Sequence, residues 1–262
     1  MRRKKSSDMP LLGHLKELRK VLLYSLIAIG IGTIGGWALS DIVYRFLSQP
    51  MLGVDNISFI TTTPMEPVLV KLTVSFVTGV IIALPIIFWK IWSFILPALK
   101  KNEKKYLYLI VPFSVLLFLC GAAFSYYAVL PTALKYLLFA GGEAVQSAAY
   151  VTKTSYLNFI LTVLISFGVV FELPVILLSL IGFGILSPKT LAKFRKYAFF
   201  IIVVFSVVVC PSPDPLTQLL MSGPLYILYE VSVLIGLLIV RKREKRVSRL
   251  YQALFRRGGA AE

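Results

Sequence analysis

Long apolar runs recur along the whole chain and constrain its fold more than any other feature. A hydrocarbon core of about 30 Å takes roughly 20 residues of helix to cross. Six runs of suitable composition lie at about Val21 to Leu39, Val68 to Phe94, Leu107 to Leu130, Leu157 to Gly182, Tyr197 to Cys210 and Leu216 to Val240. The chain has 262 residues, 58% of them hydrophobic, and is therefore predicted to be an all-α, polytopic membrane protein with six transmembrane helices.

Lysine and arginine lie almost entirely in alternate connecting segments. The segments before run one, between runs two and three, between runs four and five, and after run six carry 7, 4, 4 and 8 of the 28 basic residues. Cytoplasmic loops of membrane proteins carry such an excess. Both termini are therefore predicted to be cytoplasmic, with an amphipathic segment at 1–20, a transmembrane domain at 21–240 and a basic tail at 241–262.

Several classes of function do not fit this sequence. The net charge of +16 also suits a nucleic-acid-binding protein, but such a protein would not contain these apolar spans. The basic start and run one resemble a secretory signal, yet no A-x-A cleavage pattern follows, so we expect a retained helix. With His14 as the only histidine and no G-x-S-x-G, P-loop or metal-ligand spacing, we expect no catalysis, metal or cofactor. Packing is the default interpretation of Cys120 and Cys210, with a disulfide left open.

Run four carries a glutamate deep within its apolar sequence, in the segment VVFELPVILL. Glu172 lies 15 residues beyond Leu157, which is about 22 Å along a helix, so we expect it in the inner half of the bilayer. Inserting such a charge costs about 2.5 to 3.5 kcal/mol, and intramembrane carboxylates are functional by default. Glu172 is the single deeply buried charge that the sequence predicts. Pro174 predicts a helix kink next to it.

The polar and small residues of run four share one face of the predicted helix. At 100° per residue, a stripe about 160° wide contains Asn158, Thr162, Ser166, Gly168, Glu172 and Ser179. Two interpretations are open. The stripe is either a packing interface in which Glu172 pairs with a neighbouring helix, or a polar cavity in which Glu172 receives a ligand or partner.

Two carboxylates stand out in the basic cytoplasmic segments. Glu17 lies in GHLKELRK and Glu103 lies in ALKKNEKK. Both have ordinary explanations, because Glu17 can pair with Lys20 or His14 at helical spacing, and Glu103 can balance its neighbouring lysines at the start of run three. Together they can instead bind guanidinium groups bidentately, which lysine cannot imitate.

Five segments together carry a resemblance to a known family. They are HLKELRK at 14–20, IWSFILPALKKNEKK at 91–105, SYYAVLP at 125–131, FELP at 171–174 and PSPDPLTQ at 211–218. In their order and topology they resemble the TatC family, the multispanning receptor subunit of the twin-arginine (Sec-independent) protein translocase. The resemblance implies six helices in a cupped, glove-like arrangement, with short fifth and sixth helices, in the cytoplasmic membrane.

The resemblance also implies roles for individual residues. A signal-peptide site at the cytoplasmic surface would contain Glu17, Glu103, Leu18, Arg19, Phe94 and Pro97. An intramembrane polar site for a partner would contain Glu172, Asp214 and Gln218. Asp214 also has a purely structural explanation, since it can cap the sixth helix with Pro215 at the first position. Cys210 stands where the family often has threonine, so a hydroxyl expected beside Gln218 is absent.

The implied function is that of a receptor and core subunit for the export of folded proteins, driven by the proton-motive force. It would bind twin-arginine signal peptides and organise TatA-type single-span partners in an oligomeric complex, with a separate TatB-type partner left open. Two other hypotheses compete with it. A secondary transporter or proton-coupled channel would use Glu172 as its ion site, although no internal repeat is found. A purely structural membrane scaffold would leave Glu172 unexplained.

Overall fold

The computed structural model describes residues 11–52, 57–95, 104–139, 149–209 and 215–258. Its α-helices are α1 (Leu11–Leu52), α2 (Glu66–Ile95), α3 (Lys104–Phe124), α4 (Leu130–Phe139), α5 (Lys153–Val170), α6 (Leu173–Gly182), α7 (Pro188–Lys193), α8 (Arg195–Val209) and α9 (Pro215–Gly258). Two short strands are β1 (Ile57–Ile60) and β2 (Ala149–Thr152). A π-helical turn, Ser125–Val129, joins α3 to α4. The predicted all-α polytopic fold is confirmed.

The described residues of all six predicted apolar runs are mainly helical. Five described segments are long and apolar enough to cross a membrane, and they are Leu15–Met51, Glu66–Ile95, Leu107–Tyr136, Lys153–Gly182 and Gln218–Lys242. Run five forms α8, whose 15 residues extend over only about 22 Å. This short helix agrees with the expectation for helix five.

Helix α9 is longer than the short sixth helix that the resemblance implies. It has 44 residues and passes through the predicted boundary at residue 240 into the basic tail. The tail sequence RKREKRVSRLYQALFRR contains no proline or glycine and many good helix formers, so nothing in it ends the helix before Gly258.

The described helices belong to two compact units that interleave along the chain. The first unit consists of Met1–Leu119 and Leu134–Thr162, and the second consists of Cys120–Ala133 and Val163–Glu262. Helices α1 and α2 belong to the first unit, and α6 to α9 belong to the second. These units divide the chain differently from the predicted succession of segment, transmembrane domain and tail, which stays a prediction.

In the first unit, α1 and α2 cross at glycines. A Cβ atom added to Gly32 would lie 2.5 Å from the carbonyl oxygen of Gly79, and one added to Gly36 would lie 2.5 Å from that of Ser75. Small residues four apart allow backbones to approach this closely within a membrane. The sequence GIGTIGG therefore determines where α1 meets α2.

At one end of the first unit, the chain is held by a parallel pairing of β1 with β2 and by Glu66. The Glu66 carboxylate accepts the backbone N–H of Thr62 at 2.8 Å and that of Thr154 at 3.0 Å. Tyr156, which is buried, donates its hydroxyl to the carbonyl of Leu47 at 2.9 Å. These bonds connect the end of α1 and the starts of α2 and α5.

Glu66 is a buried carboxylate, only 3% exposed, that was not predicted. It was overlooked because it lies just before the apolar run. A sequence signal was present, since Thr63 and Glu66 have the T-x-x-E spacing of a helix start. The observed bonds differ from that motif, because Glu66 reaches Thr62 and Thr154.

Candidate functional site

Helix α1 carries three predicted site residues near its N-terminal end. Glu17 is half-buried, whereas Leu18 and Arg19 are exposed. Among the side chains that the structure describes, none forms an ion pair with Glu17 within 4.0 Å. The ordinary explanation by pairing with Lys20 is therefore not observed, and the side chain of His14 lies outside the described part.

The other residues of the predicted signal-peptide site are Phe94, in the last turn of α2, and Pro97 and Glu103, which follow α2 in the sequence. Phe94 is half-buried next to Ile95, the last residue of α2. Helix α3 begins at Lys104, the residue that follows Glu103. Glu103 and Pro97 lie outside the described residues, so their roles stay predictions.

Two contacts near the C-terminal end of α2 were not predicted. The ammonium group of Lys90 lies over the ring of Tyr24 on α1, 4.0 Å from the ring centre. The indole N–H of Trp92 donates to the hydroxyl of Ser114 on α3 at 3.0 Å, and both side chains are buried. Helix α2 is thereby joined to α1 on one side and to α3 on the other, within one turn of Phe94.

The predicted kink beside Glu172 is confirmed as a two-residue turn, Phe171 and Glu172, between two helices of run four. Helix α5 ends at Val170 and α6 begins at Leu173, so Glu172 lies in the turn between them. Pro174 is the cause, because it has no N–H to donate to the carbonyl four residues earlier, that of Val170. The break places a carboxylate where the helical ladder is interrupted.

An aromatic cluster in the second unit supports this break. The ring centre of Phe124 lies 5.9 Å from those of both Phe167 and Phe171. Gly121 packs on the same segment, since a Cβ atom there would lie 2.6 Å from the carbonyl oxygen of Phe167. Glu172 itself is 6% exposed and does not cap α6 with its side chain. The carboxylate of Glu172 is therefore buried at a turn against which the aromatic cluster and Gly121 pack.

The polar stripe of run four is only partly a packing surface. Asn158 and Thr162 are exposed, and the hydroxyl of Thr162 donates to the carbonyl of Asn158 at 2.7 Å. The opposite, apolar face is buried, as at Ile160 and Val163. Asn158 and Thr162 therefore do not pack against another described part of this chain, and at Glu172 both interpretations stay open. The constant angle assumed for the stripe also fails at the break.

The remaining predicted residues lie around the start of α9. Gln218 is half-buried, one turn inside the helix, and Pro215 is its first residue, as predicted. Asp214 and Cys210 lie outside the described residues. The predicted cap by Asp214 and the missing hydroxyl at Cys210 therefore stay predictions.

A second polar cluster in the second unit escaped the sequence analysis. Arg195 forms an ion pair with Glu230 at 3.0 Å, and the hydroxyl of Tyr226 donates to the other carboxylate oxygen at 3.0 Å. Tyr229 donates its hydroxyl to the carbonyl of Leu191 at 2.8 Å. These contacts hold α7 and the start of α8 against α9. The sequence signal for this cluster was a glutamate within run six, Glu230, and an arginine just before run five, Arg195.

One described residue of the segment SYYAVLP is unusual. Ser125 starts the π-helical turn, and its fully buried hydroxyl has no hydrogen-bond partner among the described residues. Turns of this kind occur frequently at functional sites.

Comparison with known proteins decides which family these features belong to. The family model described as TatC, Sec-independent protein translocase protein, matches residues 13–224. The chain belongs to the TatC family. The Sec-independent protein translocase protein TatC of Aquifex aeolicus is 39% identical over 238 residues, which cover 90% of this chain and 98% of that protein. TatCy of Bacillus subtilis is 34% identical, with 94% of this chain and 95% of that protein covered.

A solved structure agrees with this assignment. The crystal structure described as the twin arginine translocase receptor TatC in DDM has a TM-score of 0.76 to this chain at 38% identity. The match covers 85% of this chain and 99% of the solved one. The TatC resemblance is therefore confirmed, and the chain is a membrane-embedded subunit of the Sec-independent translocase that works with other membrane proteins. Membership of TatC, a family of transport subunits, also confirms that the chain is not an enzyme.

Proposed function

We propose that this chain is the receptor and core subunit of a twin-arginine translocase. It binds twin-arginine signal peptides at the cytoplasmic face and organises TatA-type single-span partners for the export of folded proteins driven by the proton-motive force. The observation that carries the proposal is Glu17, a partly exposed carboxylate on a basic helix with no ion pair among the described side chains.

The charge around Glu17 supports recognition of guanidinium rather than of positive charge in general. The inner segments repel a cationic peptide at long range, because they carry nearly all of the lysines and arginines. A peptide must therefore gain short-range energy from directed hydrogen bonds. Two carboxylates, Glu17 and Glu103, supply acceptors that match the planar fork of arginine. The ammonium group of lysine has no such fork for them to match.

The orientation belongs to the same proposal. The excess of basic residues on alternate connections is the reason to assign both termini to the cytoplasm and the chain to the cytoplasmic membrane. In this orientation Glu17 and Phe94 both belong to the cytoplasmic side. Glu66 belongs to the opposite side.

The partner site is proposed at Glu172, Gln218 and Asp214. Its support is the buried carboxylate at the break of run four and the half-buried amide one turn inside α9. Polar side chains of this kind form hydrogen bonds between helices in a membrane. The proposed occupant is the transmembrane helix of a TatA-type protein, in an oligomeric complex.

The test is binding of a fluorescent twin-arginine signal peptide to the purified protein in detergent, compared with the same peptide carrying two lysines. We expect at least about tenfold weaker binding of the lysine peptide, which corresponds to about 1.4 kcal/mol. Equal affinity would contradict guanidinium recognition and would favour the transporter hypothesis. The partner site is tested by co-purification of a TatA-type protein with Glu172→Leu, for which Asn158→Leu is the control.

Glu17→Gln and Glu103→Gln test the two carboxylates separately. Removing one partner of a desolvated charge pair costs about 2 to 5 kcal/mol, so each variant should weaken binding of the arginine peptide strongly. The control is Asp41→Asn, which removes an exposed carboxylate elsewhere on α1. Undiminished binding by Glu103→Gln would overturn the assigned role of that residue.

A further inference from the structure

Four basic residues of the second unit lie within a short stretch of chain, on α7 and the first turn of α8. This basic cluster consists of Lys189, Lys193, Arg195 and Lys196, all of them exposed. No acidic residue occurs between Glu172 and Asp214 in the sequence. Arg195 pairs with Glu230 on α9 at 3.0 Å, whereas none of the three lysines pairs with a described side chain. Four positive charges and one negative charge leave the cluster with a net charge of +3.

The packing of α7 and α8 against α9 sets the level of the basic cluster along α9. The hydroxyl of Tyr229 bonds to the carbonyl of Leu191 at 2.8 Å, and the ion pair holds Arg195 beside Glu230. On α9, the next basic residue after Glu230 is Arg241, 11 residues further on, or about 16 Å along the helix axis. The basic cluster therefore lies at a level where the sequence of α9 is still apolar.

The helix surfaces next to the cluster are apolar. Leu234 and Leu238 on α9 are exposed, as is Phe200 on α8. Helix α8 extends over only about 22 Å, which is shorter than a hydrocarbon core of about 30 Å. A membrane adjusts to such a short helix by local thinning, or the flanking side chains snorkel to the interface. Both adjustments bring lipid headgroups and the basic cluster together.

Two exposed aromatic rings lie among these charges. Phe194 separates α7 from α8, and its ring centre lies 5.6 Å from that of Tyr197. Tyrosine is enriched at membrane–water interfaces, where its ring lies at the level of the headgroups. The rings therefore support the same placement of the basic cluster.

We propose that the basic cluster is a binding site for the phosphate groups of anionic phospholipids. The lipid supplies the negative charge that Glu230 alone does not. Lysine and arginine form charge-assisted hydrogen bonds with phosphate, and basic pockets between transmembrane helices bind such headgroups. The ion pair occupies one guanidinium nitrogen of Arg195, so that side chain can still donate to a phosphate.

The expected ligand is a lipid rather than a soluble anion. The acyl chains of a bound lipid can cover the exposed apolar residues of α8 and α9 beside the cluster, which a soluble phosphate cannot do. A zwitterionic lipid carries its own positive charge and therefore adds no net negative charge to the site. Phosphatidylglycerol should bind more tightly than phosphatidylcholine with the same acyl chains.

The experiment measures binding of these two lipids to the purified protein in detergent by native mass spectrometry. We expect Lys193→Gln and Lys196→Gln each to weaken phosphatidylglycerol binding by about fivefold, with little change for phosphatidylcholine. The matched control is Lys20→Gln, which removes the same charge from an exposed position on α1. An unchanged thermal unfolding midpoint shows that each variant is folded.

Glu230→Gln provides a test of opposite sign. It removes the negative charge that pairs with Arg195, while glutamine keeps an acceptor oxygen for the hydroxyl of Tyr226. The net charge of the cluster rises, so binding of phosphatidylglycerol should become tighter. A purely structural role of the ion pair would instead lower the unfolding midpoint without tightening lipid binding.

Three results would overturn the proposal. The first is equal affinity of the wild-type protein for the two lipids. The second is an equal loss in Lys20→Gln and in the two cluster variants, which would indicate attraction by the whole basic surface. The third is displacement of phosphatidylglycerol by inorganic phosphate at the same concentration, which would identify a soluble anion as the ligand. None of these results depends on signal-peptide binding.

Discussion

The carboxylate of Glu66 accepts a hydrogen bond from the backbone N–H of Thr154, 88 residues further along the chain. The same side chain also accepts the N–H of Thr62. A buried carboxylate thus connects the start of α2 to the start of α5. Bonds to a charged acceptor are stronger than those to a neutral one, so this contact should matter for stability.

Glu66→Gln should lower the thermal unfolding midpoint of the protein in detergent. Glutamine keeps one acceptor oxygen, but its NH₂ group cannot accept the second backbone N–H. Asp41→Asn is the control, because Asp41 is an exposed carboxylate whose ion pair should contribute little. Equal midpoints for the two variants would show that the two backbone bonds do not stabilise the fold.

Gly32→Ala should destabilise the protein, whereas Gly30→Ala should not. A Cβ atom at Gly32 would meet the backbone of Gly79, and overpacking of this kind costs about 1 to 3 kcal/mol. Nothing lies within 4 Å of a Cβ atom at Gly30, so the helix propensity of alanine should make that change neutral or slightly stabilising. The unfolding midpoints of both variants check this. A harmless alanine at Gly32 would mean that α1 and α2 do not cross as described.

Glu172→Leu should strongly reduce export of a twin-arginine reporter protein in cells. Leucine removes the buried carboxylate while keeping the helix break, which Pro174 causes. Glu172→Gln then distinguishes a role in hydrogen bonding from a role in proton uptake, because glutamine can form hydrogen bonds but cannot titrate. Ser179→Ala on α6 is the control for an ordinary change in this region. Normal export by Glu172→Leu would support the scaffold hypothesis.

The pair of Arg195 and Glu230 should show coupling in a double-mutant cycle. We expect a coupling energy of about 0.5 to 1 kcal/mol from Arg195→Met and Glu230→Gln, since both side chains are partly exposed. Unfolding of the purified protein in detergent provides the four values. Additive effects would indicate that the two side chains contribute independently of their contact.

The fold could be predicted because its main signals are local. Each apolar run is long enough to identify a helix, and Pro174 identifies its own break in run four. The π-helical turn and the pairing of β1 with β2 could not be predicted in this way. The pairing joins segments about 90 residues apart, and such contacts leave no periodic pattern in either segment.

From the sequence, only those residues of the candidate site that are conspicuous on their own could be predicted. Glu17 and Glu172 stand out because each is a carboxylate in an unlikely setting, basic in one case and apolar in the other. The contact between Lys90 and Tyr24 could not be predicted, because it depends on which helices meet. The pairing of Glu230 was missed for the same reason, since its partner Arg195 lies outside run six, just before run five.

Helix α9 in the second unit is long and continuous, so a small change in its tilt moves its far end over a large distance. From Pro224 to Gly258 the helix extends over about 50 Å, with no further proline along the way. A tilt of about 10° at Pro224 would therefore swing its far end sideways by about 9 Å. Gln218 lies just before this pivot and the basic tail lies at the other end, so a small angular change beside the proposed partner site is magnified on the opposite side of the membrane.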